Sequence, residues 1–456
     1  FGIRGRMGYN PIKVSQAYYC EDPFLNQLGV NPVFNLLTST LDDNRKENRT
    51  LHLMSEEDAL SKVQKYLHRQ GIDRLSPIAR KVEREGTPNR RNVVLVFMES
   101  MSANLMGTFG SDKKLTPYLD SLYQQSLSFS HFYSSGIHTN HGIYSTLYSF
   151  PAIMKRNAMK GSVIPVYSGL PTVLQENGYC NLFFMTHESQ YDNMNAFLRT
   201  NGFDEIYAQE NYPSEKVVNS FGVQDDFMYQ YALPILNERA GTGNPFFSVL
   251  LSISNHPPYV IPPYFHPHSD VLEEQIVEYA DWSIRQFMQA AEKQPWFDNT
   301  IFVFLGDHGK MVGTPECEMP QSYNHIPLMI YGKDIKPGVY DGFGGQVDVS
   351  PTLLGLLNIS YLQNNFGVNL LEEERPCMFF TADNLIGARD SVNMFIYSPD
   401  SQQEFKYKLE EGKLHAATGT DEEAFRNLKD YCFSMLQSTE SLVKEHKTLD
   451  KVSVKK

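Results

Sequence analysis

The sequence contains little cysteine and tryptophan and has no excess of positive charge. Its 456 residues include 5 cysteines and 2 tryptophans, and 53 acidic side chains against 40 lysines and arginines give a net charge of −13. This acidic balance argues against a nucleic-acid surface. No segment resembles a signal peptide, and no apolar run reaches the roughly twenty residues that a membrane span needs. A chain of this length can bury a large core, so a globular protein is expected.

The cysteines are also far apart in the sequence. They are Cys20, Cys180, Cys317, Cys377 and Cys432. No pair has the short spacing of a metal or redox motif, and an odd number cannot pair completely. A fold built on disulfides is therefore not expected, although an oxidising compartment stays open.

Apolar runs that are typical of buried strands alternate with helical stretches through the middle of the chain. The strand candidates are the run that begins at Asn92, then Leu127–Tyr133, Tyr179–Thr186, Phe246–Ser254, Ile301–Leu305 and Pro327–Tyr331. Alternation of this kind predicts an α/β fold, in which a mostly parallel central sheet is covered by helices on both faces.

The composition changes twice along the chain and predicts three regions. Residues 1–90 are polar and irregular, with one clear helix after Ser55, and form a lead-in segment. Residues 91–371 form the main α/β domain. Residues 372–456 contain shorter strands and one long helix, which predicts a small C-terminal α+β subdomain.

The most informative stretch is Thr300 to Gly309, which reads TIFVFLGDHG. A buried strand ends here by presenting Asp307 and His308 between glycines, at the strand end where open α/β sheets carry their chemistry. A carboxylate and a neutral imidazole suit a divalent cation of the Mn, Zn or Mg kind. The alternative is an ordinary strand-ending turn, because Asp and Gly are common turn residues.

Three further polar residues follow other strand candidates: Glu99, Thr139 and His256. Parallel strands bring their carboxyl ends to one edge, so all of them are expected to converge there. Thr139 lies in the stretch GIHTNHG, which predicts a loop, just before a helix from Ile143 to Phe150. Its hydroxyl could be a plain N-cap, or a nucleophile activated by a metal or a base.

These motifs resemble those of the alkaline phosphatase superfamily, and within it the lipoteichoic acid synthase and phosphoglycerol transferase branch, often called sulfatase-like. The segments that carry the resemblance are NVVLVFMES, GIHTNHG, SNHPPY, LGDHG and QVDVSPTLLGLL, which occur in the family's order between Asn92 and Leu357. The resemblance implies an alkaline-phosphatase-like fold for the main domain, which would be the catalytic domain.

The resemblance also implies a metal centre. One divalent ion, Mn²⁺ or else Zn²⁺ or Mg²⁺, would be bound by Glu99, Thr139, Asp307 and His308, with Thr139 as the nucleophile. His256 matches a histidine that contacts the substrate phosphate and assists the leaving group. Thr139 would take a phosphoglycerol-type head group from a phospholipid as phospho-threonine, and a glycan or lipid acceptor, or water, would release it.

The segment SQYDNMNAFLRTNGF matches the family's substrate-recognition segment. Lipoteichoic acid synthases carry a Trp and an Arg there, whereas this chain has Asp192 and Met194, which removes a phosphate-binding cation. Asp192 and Asn193 could instead bind substrate hydroxyls or an amine, or form a plain polar loop. His325 could add a phosphate donor or an extra ligand, and a structural role is equally open.

The rival interpretations differ in the chemistry they need. A true sulfatase carries a Cys or Ser in a C/S-x-P-x-R pattern, which does not occur in this chain. Phosphoethanolamine transferases are typically richer in paired cysteines. A non-catalytic binding module would have no need of a metal-activated nucleophile. The resemblance further implies an enzyme of the bacterial cell envelope, anchored in the inner membrane by segments before Phe1, with this domain periplasmic or extracellular.

Overall fold

A computed structural model describes residues 25, 28–33, 45, 48, 50–161, 163–417 and 422–451. The predicted lead-in, 1–90, falls partly outside these ranges, and the division of the chain at 90/91 and 371/372 stays a prediction. Within the described ranges, no helix combines the length and the apolar character that crossing a bilayer requires.

The strands are numbered β1 to β17 in chain order. Their bounds are β1 Arg80–Val82, β2 Asn92–Met98, β3 Leu127–Tyr133, β4 Cys180–Met185, β5 Glu205–Tyr207, β6 Val217–Asn219, β7 Gly222–Val223, β8 Phe246–Leu251, β9 Thr300–Gly306, β10 Leu328–Tyr331, β11 Gly338–Gly345, β12 Tyr361–Gln363, β13 Met378–Thr381, β14 Ile386–Arg389, β15 Asn393–Ser398, β16 Gln403–Glu410 and β17 Lys413–Ala416.

The helices are numbered α1 to α9 in the same way. Their bounds are α1 Glu56–Tyr66, α2 Pro117–Gln124, α3 Thr139–Tyr148, α4 Leu170–Glu176, α5 Met194–Thr200, α6 Asp225–Ala240, α7 Leu272–Ala291, α8 Val349–Leu356 and α9 Glu422–Lys444.

Eight strands form the central sheet in the order β11-β3-β10-β9-β2-β8-β4-β5. Every neighbouring pair is parallel except the two that involve β10, which runs antiparallel to β3 and to β9. The predicted, mostly parallel sheet is confirmed. The strands β2, β8 and β9 lie side by side at its centre and are wholly buried, as their continuous apolar runs predict.

Helices cover both faces of this sheet because successive side chains of a strand point to opposite sides. Val93, Leu95 and Phe97 of β2 belong to one core, with residues of α3, α4 and α8. Val94 and Val96 belong to the other core, with residues of α2, α6 and α7. The central sheet is therefore held between two packed layers.

The C-terminal part of the chain forms a second, smaller sheet. Strands β13 to β17 follow one another in sequence order, and each pair is antiparallel. Helix α9 packs on β13, β14 and β15 and also on α1. The predicted small α+β subdomain is thus confirmed in its architecture.

Two details differ from the sequence-based expectations. Helix α3 begins at Thr139 rather than Ile143, so the second half of GIHTNHG is helical and not a loop. Strand β11, GVYDGFGG, was not predicted because glycine is depleted in strands; it pairs parallel to β3 at the sheet edge.

Candidate active site

Glu99 and Asp307 lie next to each other because of the register of two neighbouring strands. Met98 of β2 is the cross-strand partner of Gly306 of β9, and the two strands are parallel. Glu99 directly follows Met98, and Asp307 directly follows Gly306. The sheet therefore brings Glu99 and Asp307 to the same edge at the same level.

Both carboxylates are buried, with relative exposures of 1% for Glu99 and 0% for Asp307. Burial, and then the charge of Asp307, raise the pKa of Glu99 well above its usual range. Two anions this close in a buried place repel each other unless a proton or a cation lies between them. The pair is therefore a candidate cation site.

The hydrogen bonds of Asp307 are incomplete. Its Oδ1 accepts the backbone N–H groups of Ser100, at 2.8 Å, and of His308, at 2.7 Å. Its Oδ2 is buried and has no hydrogen-bond partner among the described residues. Buried polar atoms nearly always have a partner, so this oxygen has the character of an unfilled ligand position.

His308 faces the two carboxylates with one ring nitrogen. Its Nδ1 lies 2.8 Å from the carbonyl of Gly309. A carbonyl oxygen only accepts, so Nδ1 carries a proton, and in the neutral form of the ring Nε2 would present a lone pair. Nε2 lies 3.5 Å from Asp307 Oδ2 and 3.7 Å from Glu99 Oε1. A backbone bond that fixes the tautomer is typical of metal-binding histidines.

Thr139 is the first residue of α3, and His138, not Thr139, is at the N-cap. The alternative of a plain N-cap role for the Thr139 hydroxyl is therefore wrong. Its Oγ1 instead lies 3.4 Å from Glu99 Oε2, with the hydroxyl donating. The helix thus points its first hydroxyl at the acidic pair.

Helix α3 can approach the end of β9 only because residue 142 is glycine. A Cβ on Gly142 would lie 2.2 Å from the carbonyl oxygen of Asp307. The same carbonyl accepts from Gln346 Nε2 at 2.7 Å. The glycine that ends the stretch GIHTNHG therefore sets the distance between Thr139 and Asp307.

A metal ion fits this set of donors. One ligand atom each from Glu99, Asp307 and His308 lies within 4.8 Å of the others, and the Thr139 hydroxyl adjoins Glu99. Carboxylate oxygens and an imidazole nitrogen are ligands for Mn²⁺, Zn²⁺ or Mg²⁺. The unpartnered Oδ2 of Asp307 is the atom that a cation would satisfy.

His256 lies in the loop after β8 and faces the same edge. Its Nδ1 is 2.6 Å from the carbonyl of Pro257, so Nδ1 carries the proton and Nε2 is left for a ligand. Burial, with a smaller effect of His308, lowers the pKa of His256. Beside it, Asn255 accepts from Lys310 Nζ at 2.5 Å, and burial lowers the pKa of Lys310 to about 8.

Asp192 and Asn193 lie close to the nucleophile helix. Asn140, the residue after Thr139, donates from Nδ2 to Asp192 Oδ2 at 2.9 Å, and Lys160 Nζ lies 3.7 Å from Asp192 Oδ1. Asp192 and Asn193 both have left-handed backbone angles, with φ of 50° and 69°, respectively. Such angles are uncommon outside glycine and often occur at functional sites.

His325 is held by the main domain rather than by the acidic pair. Its Nε2 lies 2.9 Å from the carbonyl of Ser130, and its ring stacks on Tyr133 at 5.2 Å between centroids. Burial lowers its pKa to about 4, so the ring is neutral. The contacts are those of a structural histidine, and a role in substrate binding stays a prediction.

The sequence did not indicate the residues that hold the two carboxylates. Ser100 Oγ donates to Glu99 Oε1 at 2.7 Å, and Ser252 Oγ accepts the N–H of Glu99 at 3.0 Å. Asn255 Nδ2 donates to the carbonyl of Ser100 at 3.1 Å. Their sequence signal is position alone, since each lies within four residues after the end of β2 or β8.

Comparison with known proteins places this site in a family. Residues 91–359, more than half of the chain, match the family model described as Sulfatase. The chain belongs to the sulfatase family. The match contains Glu99, Thr139, His256, Asp307 and His308, so all the clustered residues lie in the part that the family shares.

Within the sulfatase family, the chain is similar to the lipoteichoic acid synthase-like protein YvgJ of Bacillus subtilis. The two are 25% identical over 362 residues, which cover 72% of this chain and 56% of the relative. A lipoteichoic acid synthase of Staphylococcus aureus is 24% identical over 77% of this chain and 58% of its own length. The chain thus spans about half the length of the curated relatives it matches.

Solved structures identify the fold as that of the alkaline phosphatase superfamily. A Vibrio parahaemolyticus protein of this superfamily matches with a TM-score of 0.78 and 24% identity, over 88% of this chain and 99% of its own. The lipoteichoic acid synthase LtaP of Listeria monocytogenes matches with a TM-score of 0.69 and 21% identity, over 84% and 98%. The predicted fold and family resemblance are confirmed.

Proposed function

We propose that this sulfatase-family domain transfers a phosphoglycerol-type head group from a phospholipid to a glycan or lipid acceptor. Support comes from the relatives named as lipoteichoic acid synthases and from the chemistry of the site. We further propose that the whole protein works at the bacterial cell envelope, anchored in the inner membrane by segments outside this chain.

One observation carries the proposal. The Thr139 hydroxyl donates towards Glu99 at 3.4 Å, beside a buried acidic pair in which Asp307 Oδ2 has no hydrogen-bond partner among the described residues. A threonine hydroxyl is a poor nucleophile unless a base or a metal activates it, and here a carboxylate and a candidate cation site adjoin it. A binding-only module would have no use for such an arrangement.

In the first displacement, Thr139 Oγ1 forms a bond to phosphorus while the bond from phosphorus to the lipid oxygen breaks. Glu99 Oε2 is placed to take the threonine proton. His256 is assigned to the leaving oxygen: with Nδ1 bonded to Pro257, a proton taken up from solvent at Nε2 passes to the lipid oxygen as its bond to phosphorus breaks. The product is a phospho-threonine ester and a neutral lipid alcohol.

In the second displacement, the acceptor hydroxyl attacks the phosphorus of the ester and Thr139 Oγ1 leaves, taking a proton back. The acceptor decides between transfer and hydrolysis. Glu99, Thr139, Asp307 and His308 would hold one divalent ion, most plausibly Mn²⁺, which supplies positive charge for the phosphoryl oxygens and lowers the pKa of the hydroxyl. The N-terminal N–H groups of α3 add to the anion site.

Asp192 and Asn193 are proposed to contact the head group, because Asp192 is bonded to the residue after the nucleophile. A carboxylate there favours hydroxyls or an amine over a second phosphate. His325 stays a weaker candidate for substrate binding. A sulfuric ester hydrolase is less favoured, because the C/S-x-P-x-R pattern is absent from the sequence and a threonine occupies the nucleophile position.

The proposal is tested by measuring head-group release from phosphatidylglycerol and phosphatidylethanolamine, beside a sulfate ester, with and without added Mn²⁺. We expect release from a phosphodiester only with the metal. Thr139→Ala should lower the rate at least about a thousandfold, because it removes the atom that bonds to phosphorus. Which lipid reacts identifies the head group.

Thr146→Ala is the matched control. Thr146 lies two turns further along α3, is buried, and its hydroxyl has no hydrogen-bond partner among the described residues. This variant should keep the wild-type rate. Turnover of the sulfate ester alone, or full activity in Thr139→Ala, would contradict the mechanism.

A further inference from the structure

The C-terminal subdomain contacts the segment that precedes α3, the helix that begins at Thr139. Thr381, the last residue of β13, donates its N–H to the carbonyl of Ser135 at 2.9 Å, and its Oγ1 donates to the same carbonyl at 3.1 Å. Asn324 Nδ2 donates to the carbonyl of Thr381 at 3.2 Å. The segment after β13 is therefore attached to the residues that precede α3.

Two residues further on, Asp383 reaches the start of α3. Its Oδ1 lies 2.6 Å from His138 Nε2, and its Oδ2 lies 3.7 Å from Lys155 Nζ. His138 is the N-cap residue of α3 and makes no side-chain cap bond, while its carbonyl accepts the N–H of His141 at 2.9 Å and of Gly142 at 3.2 Å. Its backbone thus starts the helix, and its side chain is held by Asp383.

A second contact from the same subdomain supports the next turn. Glu440 of α9, 7% exposed, pairs with Arg156 Nη1 at 2.7 Å. The carbonyl of Arg156 accepts from His141 Nε2 at 3.0 Å. Burial, with a smaller effect of His138, lowers the pKa of His141 to about 3, so this ring is neutral and donates. The subdomain thus reaches α3 through both histidines that flank Thr139.

We propose that Asp383 is a positioning residue of the active site: by holding His138, it fixes the first turn of α3 and with it the hydroxyl of Thr139. The effect on catalysis rests on the proposed function, whereas the effect on the helix start does not. A 1 Å displacement of a reacting group can lower a rate about a hundredfold. A side-chain anchor one residue before the nucleophile controls that displacement.

The inference goes beyond the family match, which ends at residue 359. Asp383 lies 24 residues beyond that end, in the loop between β13 and β14. The C-terminal subdomain is therefore assigned a part in the catalytic site and is not only an appendage on the main domain.

The test uses the full chain with Asp383→Ala and Asp383→Asn. Hydrogen exchange of the His141 and Gly142 amides reports the start of α3, and kcat and KM for bis(p-nitrophenyl) phosphate at saturating Mn²⁺ report catalysis. In Asp383→Ala these amides should exchange about tenfold faster than in the wild type, and kcat should be roughly 100-fold lower with little change in KM. In Asp383→Asn, Oδ1 still accepts from His138. This variant should therefore keep most of the wild-type amide protection and most of the wild-type kcat.

Asp430→Asn is the matched control. Asp430 lies in the same subdomain and pairs with Lys62 at 3.0 Å, and its side chain is 36% exposed against 37% for Asp383. This variant should change neither measurement. Wild-type exchange and kcat in Asp383→Ala would overturn the proposal, and so would equal effects in Asp430→Asn. A wild-type protein without diesterase activity would instead contradict the proposed function, while the exchange measurement would still test the positioning.

Discussion

The acidic pair at the catalytic edge can be compared with Asp348, a carboxylate that is equally buried. Asp307 and Asp348 each have a relative exposure of 0%. Asp307 has Glu99 as its neighbour, a second carboxylate, and its Oδ2 has no hydrogen-bond partner in the described chain. The described residues thus compensate the burial of Asp307 at Oδ1, through two backbone N–H groups, but provide no hydrogen bond to Oδ2.

The burial of the Asp348 carboxylate is compensated by hydrogen bonds to both of its oxygens. Arg375 donates to Oδ1 from Nη2 at 2.6 Å and to Oδ2 from Nε at 2.8 Å. The backbone N–H of Val368 also donates to Oδ1, at 2.9 Å, and the backbone N–H of Gly345 donates to Oδ2, at 3.0 Å. A two-point pair with an arginine is the strongest kind of charge pairing in proteins.

This difference distinguishes a carboxylate in a structural ion pair from a carboxylate in a candidate functional site. Asp348 and Arg375 form a closed ion pair that ties the start of α8 to the segment before β13, and it needs nothing from outside. Glu99 and Asp307 form an open pair whose mutual repulsion a proton or a bound cation would relieve. Burial of a carboxylate alone therefore does not indicate a functional site, whereas a buried carboxylate that has an oxygen without a hydrogen-bond partner and lies beside a second carboxylate makes a candidate for one.

The largest effect on stability is expected at the closed pair. Arg375→Met should lower the free energy of unfolding by about 3 to 5 kcal/mol, because it leaves Asp348 buried and unpaired. Chemical denaturation measures this change. Lys62→Met, which breaks the partly exposed pair with Asp430, should cost about 1 kcal/mol or less. Equal losses in the two variants would remove the distinction between a buried and an exposed pair.

A smaller effect of opposite sign is expected at the open pair. In metal-free protein, Asp307→Asn should raise the free energy of unfolding by about 1 kcal/mol, because it removes a negative charge beside Glu99 and keeps an acceptor for the N–H of Ser100. Thermal unfolding in the presence of a chelator measures it. A loss of several kcal/mol would mean that Asp307 is a structural carboxylate like Asp348.

Much of the central sheet could be predicted from the sequence. Short continuous apolar runs such as Val93–Met98 favour buried strands in a sheet covered on both faces, and the polar residue that follows each run marks its carboxyl end. Glu99, Asp307 and His308 were predicted on that ground, and the structure brings them together with Thr139. Their metal-binding and catalytic roles stay predictions.

The parts that were not predicted depend on contacts between distant segments. Asp383 lies 245 residues from His138 in the sequence, and no periodicity or spacing relates the two. Strand β11 is rich in glycine and is stabilised by its partner β3 rather than by its own propensity. The start of α3 at Thr139 and the close approach of Gly142 to Asp307 are properties of the folded chain.

The central claim is that the open acidic pair binds one divalent cation. Isothermal titration of metal-free protein with Mn²⁺ tests it most directly, with Asp307→Asn beside the wild type. We predict one ion per wild-type chain, at least a hundredfold weaker binding in Asp307→Asn, and a fall in melting temperature when a chelator removes the ion. Equal binding by both proteins, or phosphodiester cleavage by a wild type that binds no divalent metal, would contradict the account.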